Sequence, residues 1–318
     1  MNPENTIESD SIGKVLPRRP LGRTGESVTM LGLGGFHIGW NTEELAHSTI
    51  EAALEEGVRF FDTAEGYGPH TSEERYGRFL TPQYRKEIFL MSKSAATDPV
   101  TAQEHLEGTL RRLRIDVLDL WQIHGLDSPE DVDQRFDAGV INYALKARDE
   151  GKVRHLGFTG HASPYAHLRF LERLGNNDGF ATAQFPINPV DAVSKHSFIR
   201  ELLPELASRG YGVLAMKTLA DGRFFKEKTM LQDTVWTTAE PVIPDKVSVA
   251  EAIRFALSLP ISVLITGADH AEHVREKAAL VREFVALEAV ERASLLENTS
   301  GHASAGIVEF YKTEALRG

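Results

Sequence analysis

The chain has 318 residues, which is long for an ordinary domain but normal for a single α/β barrel. Its formal net charge of −11 argues against a nucleic-acid surface or a role on an anionic membrane. The absence of cysteine excludes disulfides, iron–sulfur clusters, thiolate zinc sites and a cysteine nucleophile.

The first residues of the chain are polar and acidic and lack the apolar region of a signal peptide. We interpret residues 1–14 as a disordered segment that leads into one domain covering residues 15–318. No apolar run approaches the roughly 18 residues of a membrane-spanning helix. These features predict a cytoplasmic protein that binds neither membrane nor nucleic acid, and they leave its oligomeric state open.

Residues 19–30 read RPLGRTGESVTM, and their glycine turn predicts a β-hairpin that closes the bottom of a barrel. Short apolar runs follow, spaced widely enough for a loop and a helix after each. The predicted strands are 31–36, 58–64, 88–93, 117–124, 153–160, 181–188, 212–219 and 262–268. Eight such units, with strands this apolar, favour a closed (β/α)₈ barrel over an open doubly wound sheet.

Two local patterns complete the prediction of elements. Thr71 and Glu74 are spaced as in a capping box and predict the start of a helix. Residues 221–246 form a long insertion, which we expect to be either a lid over the site or a surface excursion packed by its own aromatic residues.

Polar residues stand at the predicted carboxyl ends of consecutive strands, where the active sites of such barrels lie. Asp62 ends the second strand, Lys93 the third and His124 the fourth. Tyr67 lies on the glycine-rich loop after Asp62. Each of these residues alone has an ordinary structural explanation, as a cap, a solvated strand end or a satisfied polar group.

As a set, these residues have a chemical explanation. A phenol with a pKa of about 10 is a poor acid at neutral pH. A nearby ammonium group lowers that pKa, and a carboxylate holds the ammonium charged and in place. A histidine can donate a hydrogen bond to the same substrate oxygen. The set therefore predicts protonation of a carbonyl while another group delivers hydride.

Several stretches, in order, resemble one family. RPLGRTGESVTMLGLGGF resembles the opening of the aldo-keto reductases, DTAEGYG with SEERYG their active-site signature, DVLDLWQIHGLD their fourth-strand motif and ITGADHAEHVREK their cofactor-binding end. The resemblance is to bacterial-type members that lack an iron–sulfur extension. It implies an NAD(P)H-dependent oxidoreductase that transfers hydride to or from an aldehyde or ketone. It also implies roles for the strand-end set: Tyr67 as general acid, Lys93 and Asp62 as its tuning pair, and His124 as the donor that orients the carbonyl.

No residue in the chain can carry hydride chemistry itself, so a nicotinamide must supply it. In the resembled family the carboxamide binds to polar residues that here would be Thr159 and Gln184. The usual asparagine after Thr159 is replaced by Gly160, which His161 follows, and Met216 stands where an aromatic residue often stacks on the ring. The other residues that the resemblance implies at the cofactor are Gly35, Lys217, Leu219, Gly267, Asp269, His273, Glu276 and Lys277.

The preferred cofactor and the substrate follow less directly. Asp269 would repel a 2′-phosphate, whereas His273 and Lys277 could attract one, and the resemblance favours NADP(H) over NAD(H). Phe36 and Trp40 are predicted to wall the pocket of a small-molecule carbonyl or alcohol substrate, which suggests an apolar or aromatic carbonyl.

Two other functions remain as alternatives. One is a non-catalytic NADP-binding regulatory subunit resembling the β subunits of potassium channels, although such a subunit need not keep the predicted acid Tyr67. The other is a metal-dependent barrel hydrolase using His124 and His161. That function usually needs His-x-His on the first strand, which LGLGGFH does not supply, so we predict no metal site.

Overall fold

The structure is a computed structural model and describes residues 8–175, 179–222, 224, 246–303 and 308–316. It begins with an antiparallel hairpin of β1 (Arg18–Pro20) and β2 (Ser27–Thr29). The barrel strands are β3 (Leu31–Gly34), β4 (Phe60–Asp62), β5 (Phe89–Ser94), β6 (Leu118–Ile123), β7 (Val153–Thr159), β8 (Thr182–Pro186), β9 (Gly212–Met216) and β10 (Val263–Thr266). These eight strands form a closed parallel barrel in the order β10–β3–β4–β5–β6–β7–β8–β9, which confirms the predicted (β/α)₈ fold.

Helices connect the strands and cover the outside of the barrel. They are α1 (Gly35–Trp40), α2 (Glu43–Glu55), α3 (Thr71–Phe79), α4 (Thr81–Tyr84), α5 (Pro99–Leu113), α6 (Pro129–Ala138), α7 (Val140–Asp149), α8 (Pro164–Leu174), α9 (Pro189–Val193), α10 (Leu203–Ser208), α11 (Val249–Leu257), α12 (Ala271–Arg282) and α13 (Ala289–Ser300). A π-helical turn, Phe198–Leu202, leads into α10. Within the described ranges, no helix has the length and apolar character needed to cross a membrane.

The hairpin closes the bottom of the barrel, as predicted. Leu21 and Val28 are buried in one cluster with residues from the barrel interior, including Phe60 and Phe89, which begin their strands. Burying a side chain such as Leu21 contributes about 1.5–3 kcal/mol. The opposite end of the barrel, where the strands finish, therefore remains free for a site.

The strands are mostly shorter than predicted at their carboxyl ends. Residues 35 and 36 belong to α1 instead of the first barrel strand, and the strand predicted at 212–219 ends at Met216. The capping-box prediction was wrong, because α3 begins at Thr71 after His70, which has a φ of 73° and makes no side-chain cap. Backbone bonding within the preceding loop, from the Thr71 N–H to the Gly68 carbonyl at 3.0 Å, determines this helix start instead.

Order begins earlier than residue 15. Asp10 binds the buried guanidinium of Arg59 through two bonds of 2.6 and 2.9 Å, and this interaction lowers the pKa of Asp10 to about 2. Residues 8–14 are thus anchored, whereas residues 1–7 lie outside the described part. The single domain over 15–318 stays a prediction. Of the predicted loop at 221–246, residues 223 and 225–245 lie outside the described residues. The choice between a lid and a surface excursion therefore stays a prediction.

Candidate active site

The predicted catalytic residues meet at the carboxyl end of the barrel. Asp62 ends β4, Lys93 is the last residue but one of the neighbouring strand β5, and both are almost fully buried. The Lys93 ammonium lies 2.5 Å from Asp62 Oδ1, donates to the Thr63 carbonyl at 2.8 Å and donates to the Tyr67 hydroxyl at 3.3 Å. One buried cation therefore joins the carboxylate to the phenol.

Close backbone contact explains the glycines around Tyr67. A Cβ added to Gly68, whose φ is 60°, would lie 2.2 Å from the Gly39 carbonyl oxygen, and one added to Gly39 would lie 2.8 Å from the Tyr67 carbonyl oxygen. Only glycine allows the loop to pass α1 this closely. The ring of Tyr67 is then held edge-on against Phe36 and His124, with centroids 5.5 and 5.9 Å away.

The protonation states of the set follow from burial and from Lys93. Burial raises the pKa of Tyr67 despite the opposing charge of Lys93. Burial opposes the charge on Lys93, but Asp62 and Tyr67 outweigh it and raise the pKa of the ammonium. Burial, followed by the charge of Lys93, holds the pKa of His124 well below its usual range. At neutral pH the site therefore contains a protonated phenol, a charged lysine and a neutral imidazole.

The direction for Tyr67 differs from the sequence-based prediction that its pKa would be lowered. Lys93 does act in the predicted direction, but desolvation of the phenol is the larger effect.

A cavity of about 320 Å³ opens above these residues, and a second of about 330 Å³ lies beside it. The first is lined by the catalytic set and by the predicted residues Phe36, Thr159, Gln184, Met216, Lys217, Gly267 and Asp269. The second is lined by the predicted residues Leu219, His273, Glu276 and Lys277. Because the cavities share lining residues, among them Lys217 and Asp269, they form one groove.

Two predicted site residues do not line the groove. A Cβ on Gly35 would lie 2.5 Å from the Asp62 carbonyl oxygen, so this glycine serves close packing between α1 and β4. Trp40 stands at the end of α1, with its ring 6.2 Å from that of Phe36, and Phe36 alone of the predicted pocket walls lines the cavity.

Two polar residues that line both cavities, His37 and Asp221, were not predicted from the sequence. His37 Nε2 lies 3.1 Å from Asp269 Oδ1, and Lys217 Nζ lies 2.8 Å from Asp221 Oδ2. The available signals were a histidine directly after Phe36 and an acid four residues after Lys217. A histidine–carboxylate contact and a lysine–carboxylate ion pair thus lie where the two cavities join, at the neck of the groove.

The groove fits a nicotinamide. The side-chain oxygen of Gln184 is buried in the first cavity and has no hydrogen-bond partner among the described residues, so it can accept from a carboxamide. Thr159 is its neighbour across the β7–β8 pairing. A Cβ on Gly160 would lie 2.4 Å from the Leu126 carbonyl oxygen, which explains why no side chain follows Thr159 directly.

At the far end, Lys277 donates to the Gly267 carbonyl at 2.7 Å, and burial lowers its pKa to about 8. Its ammonium, at the wall of the second cavity, is therefore already hydrogen-bonded to the backbone.

Comparisons with known proteins agree with this geometry. The chain is 28% identical to the uncharacterized oxidoreductase YrpG of Bacillus subtilis, over 64% of this chain and 66% of that protein. It is 26% identical to L-galactose dehydrogenase of Arabidopsis thaliana, over 85% of this chain and 89% of that protein. Its fold matches a Klebsiella pneumoniae aldo-keto reductase solved in complex with NADPH, with a TM-score of 0.69 and 22% identity over 90% and 96% of the two chains. The sequence model of the aldo/keto reductase family matches residues 30–289. The chain belongs to this family and is an oxidoreductase.

Proposed function

We propose that the protein is an NAD(P)H-dependent reductase of aldehydes or ketones in which Tyr67 donates the proton. The observation that carries the proposal is the continuous chain Asp62–Lys93–Tyr67, with contacts of 2.5 and 3.3 Å, which ends in a phenol facing the cavity. Burial keeps the phenol protonated until negative charge develops on a substrate oxygen.

When bound, a nicotinamide would supply a hydride to the carbonyl carbon and leave oxidised. Tyr67 gives its hydroxyl proton to the carbonyl oxygen, so that the C=O bond becomes an alcohol. Lys93 stabilises the phenolate left behind, and Asp62 keeps Lys93 in place. His124, which is neutral, can donate an N–H to the same oxygen and orient it.

Two parts of the groove would hold the cofactor. In the first cavity, Thr159 and Gln184 would orient the carboxamide, and Met216 would contact the ring. Beyond the neck, we propose a modest preference for NADPH. His37 Nε2 lies 3.1 Å from Asp269 Oδ1, so this imidazole can engage the carboxylate, and His273 lines the second cavity, where its ring can donate a hydrogen bond to a phosphate.

The direct test is oxidation of NADPH and NADH in the presence of a panel of carbonyl compounds. The name of the plant relative makes sugar-derived carbonyls sensible members of the panel. Turnover by wild type, lost in a Tyr67→Phe variant that still binds cofactor, supports the proposal. Cofactor binding with no turnover of any carbonyl would favour the regulatory-subunit alternative. The cytoplasmic location stays a prediction.

A further inference from the structure

We propose that His161 selects carbonyl substrates that carry a hydroxyl group next to the carbonyl, by accepting a hydrogen bond from that hydroxyl. The proposal rests on the proposed function, because it names the substrate class of the same site. It would make the protein a reductase of small hydroxyaldehydes and hydroxyketones, in contrast to the apolar or aromatic carbonyl that the sequence suggested.

His161 is well placed to contact a substrate. It lines the first cavity together with His124 and Gly125, and it is partly exposed there. It is also close enough to His124 for the two rings to interact electrostatically, each opposing protonation of the other. Because Gly160 carries no side chain, His161 is the first residue after Thr159 that can extend a polar group into this part of the cavity.

The hydrogen bonding of the ring determines what it can offer. His161 Nδ1 lies 3.2 Å from the Tyr311 carbonyl oxygen, which can only accept, so Nδ1 carries the proton. Burial, followed by the charge of Lys217, lowers the pKa of His161 to about 4. The ring is therefore neutral at pH 7, and Nε2 is an acceptor only. No hydrogen-bond partner of Nε2 is found within the described ranges.

A rigid segment fixes this tautomer. The Tyr311 hydroxyl accepts from Asn188 Nδ2 at 2.9 Å and donates to Glu309 Oε1 at 3.1 Å. The Thr313 N–H donates to the Ala162 carbonyl at 3.0 Å, so the two backbones are also tied together directly after the histidine. His161 cannot readily reverse its polarity to suit a different ligand.

The two groups that the proposed function directs at the reacting oxygen, the Tyr67 hydroxyl and the neutral His124, are donors. A simple aldehyde or ketone satisfies these donors but leaves His161 Nε2 without a partner. A hydroxyl on the adjacent carbon supplies the missing donor, and a site built to pair with a hydroxyl discriminates against analogues that lack it.

The test uses substrates matched in size: glycolaldehyde against propanal, and hydroxyacetone against 2-butanone. The quantity is the ratio of kcat/KM within each pair, referred to the unhydrated carbonyl. We expect wild type to favour the hydroxylated member. His161→Leu should lower the ratio by about three- to tenfold, the range of one hydrogen bond, by slowing the hydroxylated substrate alone. His161→Gln, which retains an acceptor, should keep most of the preference.

Two controls separate this role from others. His47→Leu removes a half-exposed histidine that stacks on Phe79 and lines neither cavity, and it should leave the ratio unchanged. Equilibrium binding of NADPH, followed by its fluorescence, should be the same in wild type and His161→Leu. Weaker binding with equal losses on both substrates would instead place His161 at the carboxamide and overturn the proposal.

The remaining outcomes distinguish the two proposals. If wild type reduces both members of a pair and His161→Leu leaves their ratio unchanged, the His161 proposal fails and the proposed function stands. If wild type reduces no carbonyl with either cofactor, the proposed function fails and the His161 proposal fails with it.

Discussion

Two buried lysines in this protein lie in clusters of similar composition. Lys93 contacts Asp62 and Tyr67, and Lys312 contacts Asp191 and Glu309 beside Tyr311. Both lysine side chains are 1% exposed or less. By residue type and burial alone, either cluster could be interpreted as a tyrosine whose pKa is adjusted by a neighbouring lysine.

The two tyrosine hydroxyls differ in their hydrogen bonds. The Tyr311 hydroxyl accepts from Asn188 and gives its own proton to Glu309. The Tyr67 hydroxyl accepts from Lys93, and no acceptor for its proton lies among the described residues. Tyr67 lines the cavity, whereas Tyr311 lines neither part of the groove. The proposed proton donor, Tyr67, thus differs from the structural phenol of Tyr311 in two ways. Its hydroxyl proton has no acceptor among the described residues, and its side chain borders a cavity.

The largest expected effect separates the two tyrosines. Tyr67→Phe should lower kcat by about 10²–10⁴-fold, because it removes the proton donor, while NADPH still binds. Tyr311→Phe should leave kcat close to wild type and instead reduce the free energy of unfolding by about 1–3 kcal/mol, since buried Asn188 and Glu309 lose a partner. Steady-state kinetics and urea unfolding on both variants provide the measurement. A Tyr67→Phe variant retaining more than about a tenth of wild-type kcat would remove Tyr67 from the mechanism.

The two lysines should behave alike in stability and differently in catalysis. Lys93→Met and Lys312→Met each leave buried carboxyl groups without their cation, which costs about 3–5 kcal/mol in the free energy of unfolding. Only Lys93→Met should abolish reduction of a carbonyl without a hydroxyl, measured on folded protein, because only Lys93 stabilises the phenolate.

Folded fraction by circular dichroism is the control for both lysine variants. Equal residual kcat in the two would show that Lys93 is only a structural charge. Normal activity of Lys93→Met at neutral pH would lead to the same conclusion.

A smaller effect concerns how the stability of the second cluster depends on pH. We call this cluster, which contains Asp191, Glu309, Tyr311 and Lys312, the structural cluster. Burial, followed by the charge of Asp191, raises the pKa of Glu309 from 4.5 to about 7. Between these values the folded state holds a proton that the unfolded state has lost, so this group makes the free energy of unfolding fall as pH rises. We expect the free energy of unfolding of wild type, minus that of Glu309→Gln, to decline by about 1–3 kcal/mol from pH 5 to pH 7.5. Urea titrations across this range measure it, and a difference that is constant or rises with pH would contradict the prediction.

The sequence predicted the barrel and the meeting of its polar strand-end residues, for a physical reason. Parallel strands that alternate with helices finish at one end of a barrel, so polar residues at successive strand ends must meet there. Asp62, Lys93 and His124 follow that rule. Their positions required only the pattern of apolar runs and no knowledge of packing.

The structural cluster and the neck of the groove could not be predicted in this way. Lys312 and Asp191 are separated by more than a hundred residues, and no local pattern links them. His37 lies in α1 and Asp221 in a turn after β9, and the directions of both side chains depend on packing. Gly35 shows the converse limit, because a glycine at a strand end fits either a ligand or a neighbouring backbone, and only the contact with Asp62 decides.

The smallest expected effect lies at Asp269. Its side chain contacts His37, and both are more exposed than the lysine side chain of either cluster. The Asp269 and His37 side chains are 23% and 24% exposed, so solvent screens their interaction. Asp269→Ser removes a carboxylate that would repel a 2′-phosphate, and we expect the ratio of kcat/KM for NADPH to that for NADH to rise about two- to fivefold. Glu276→Gln, which removes another carboxylate from the same cavity, is the matched control for a general change in charge. Both ratios should be measured at fixed ionic strength. If Asp269→Ser leaves the ratio unchanged, Asp269 does not face the ribose. If both variants raise it equally, the preference reflects the net charge of the cavity and not a contact made by Asp269.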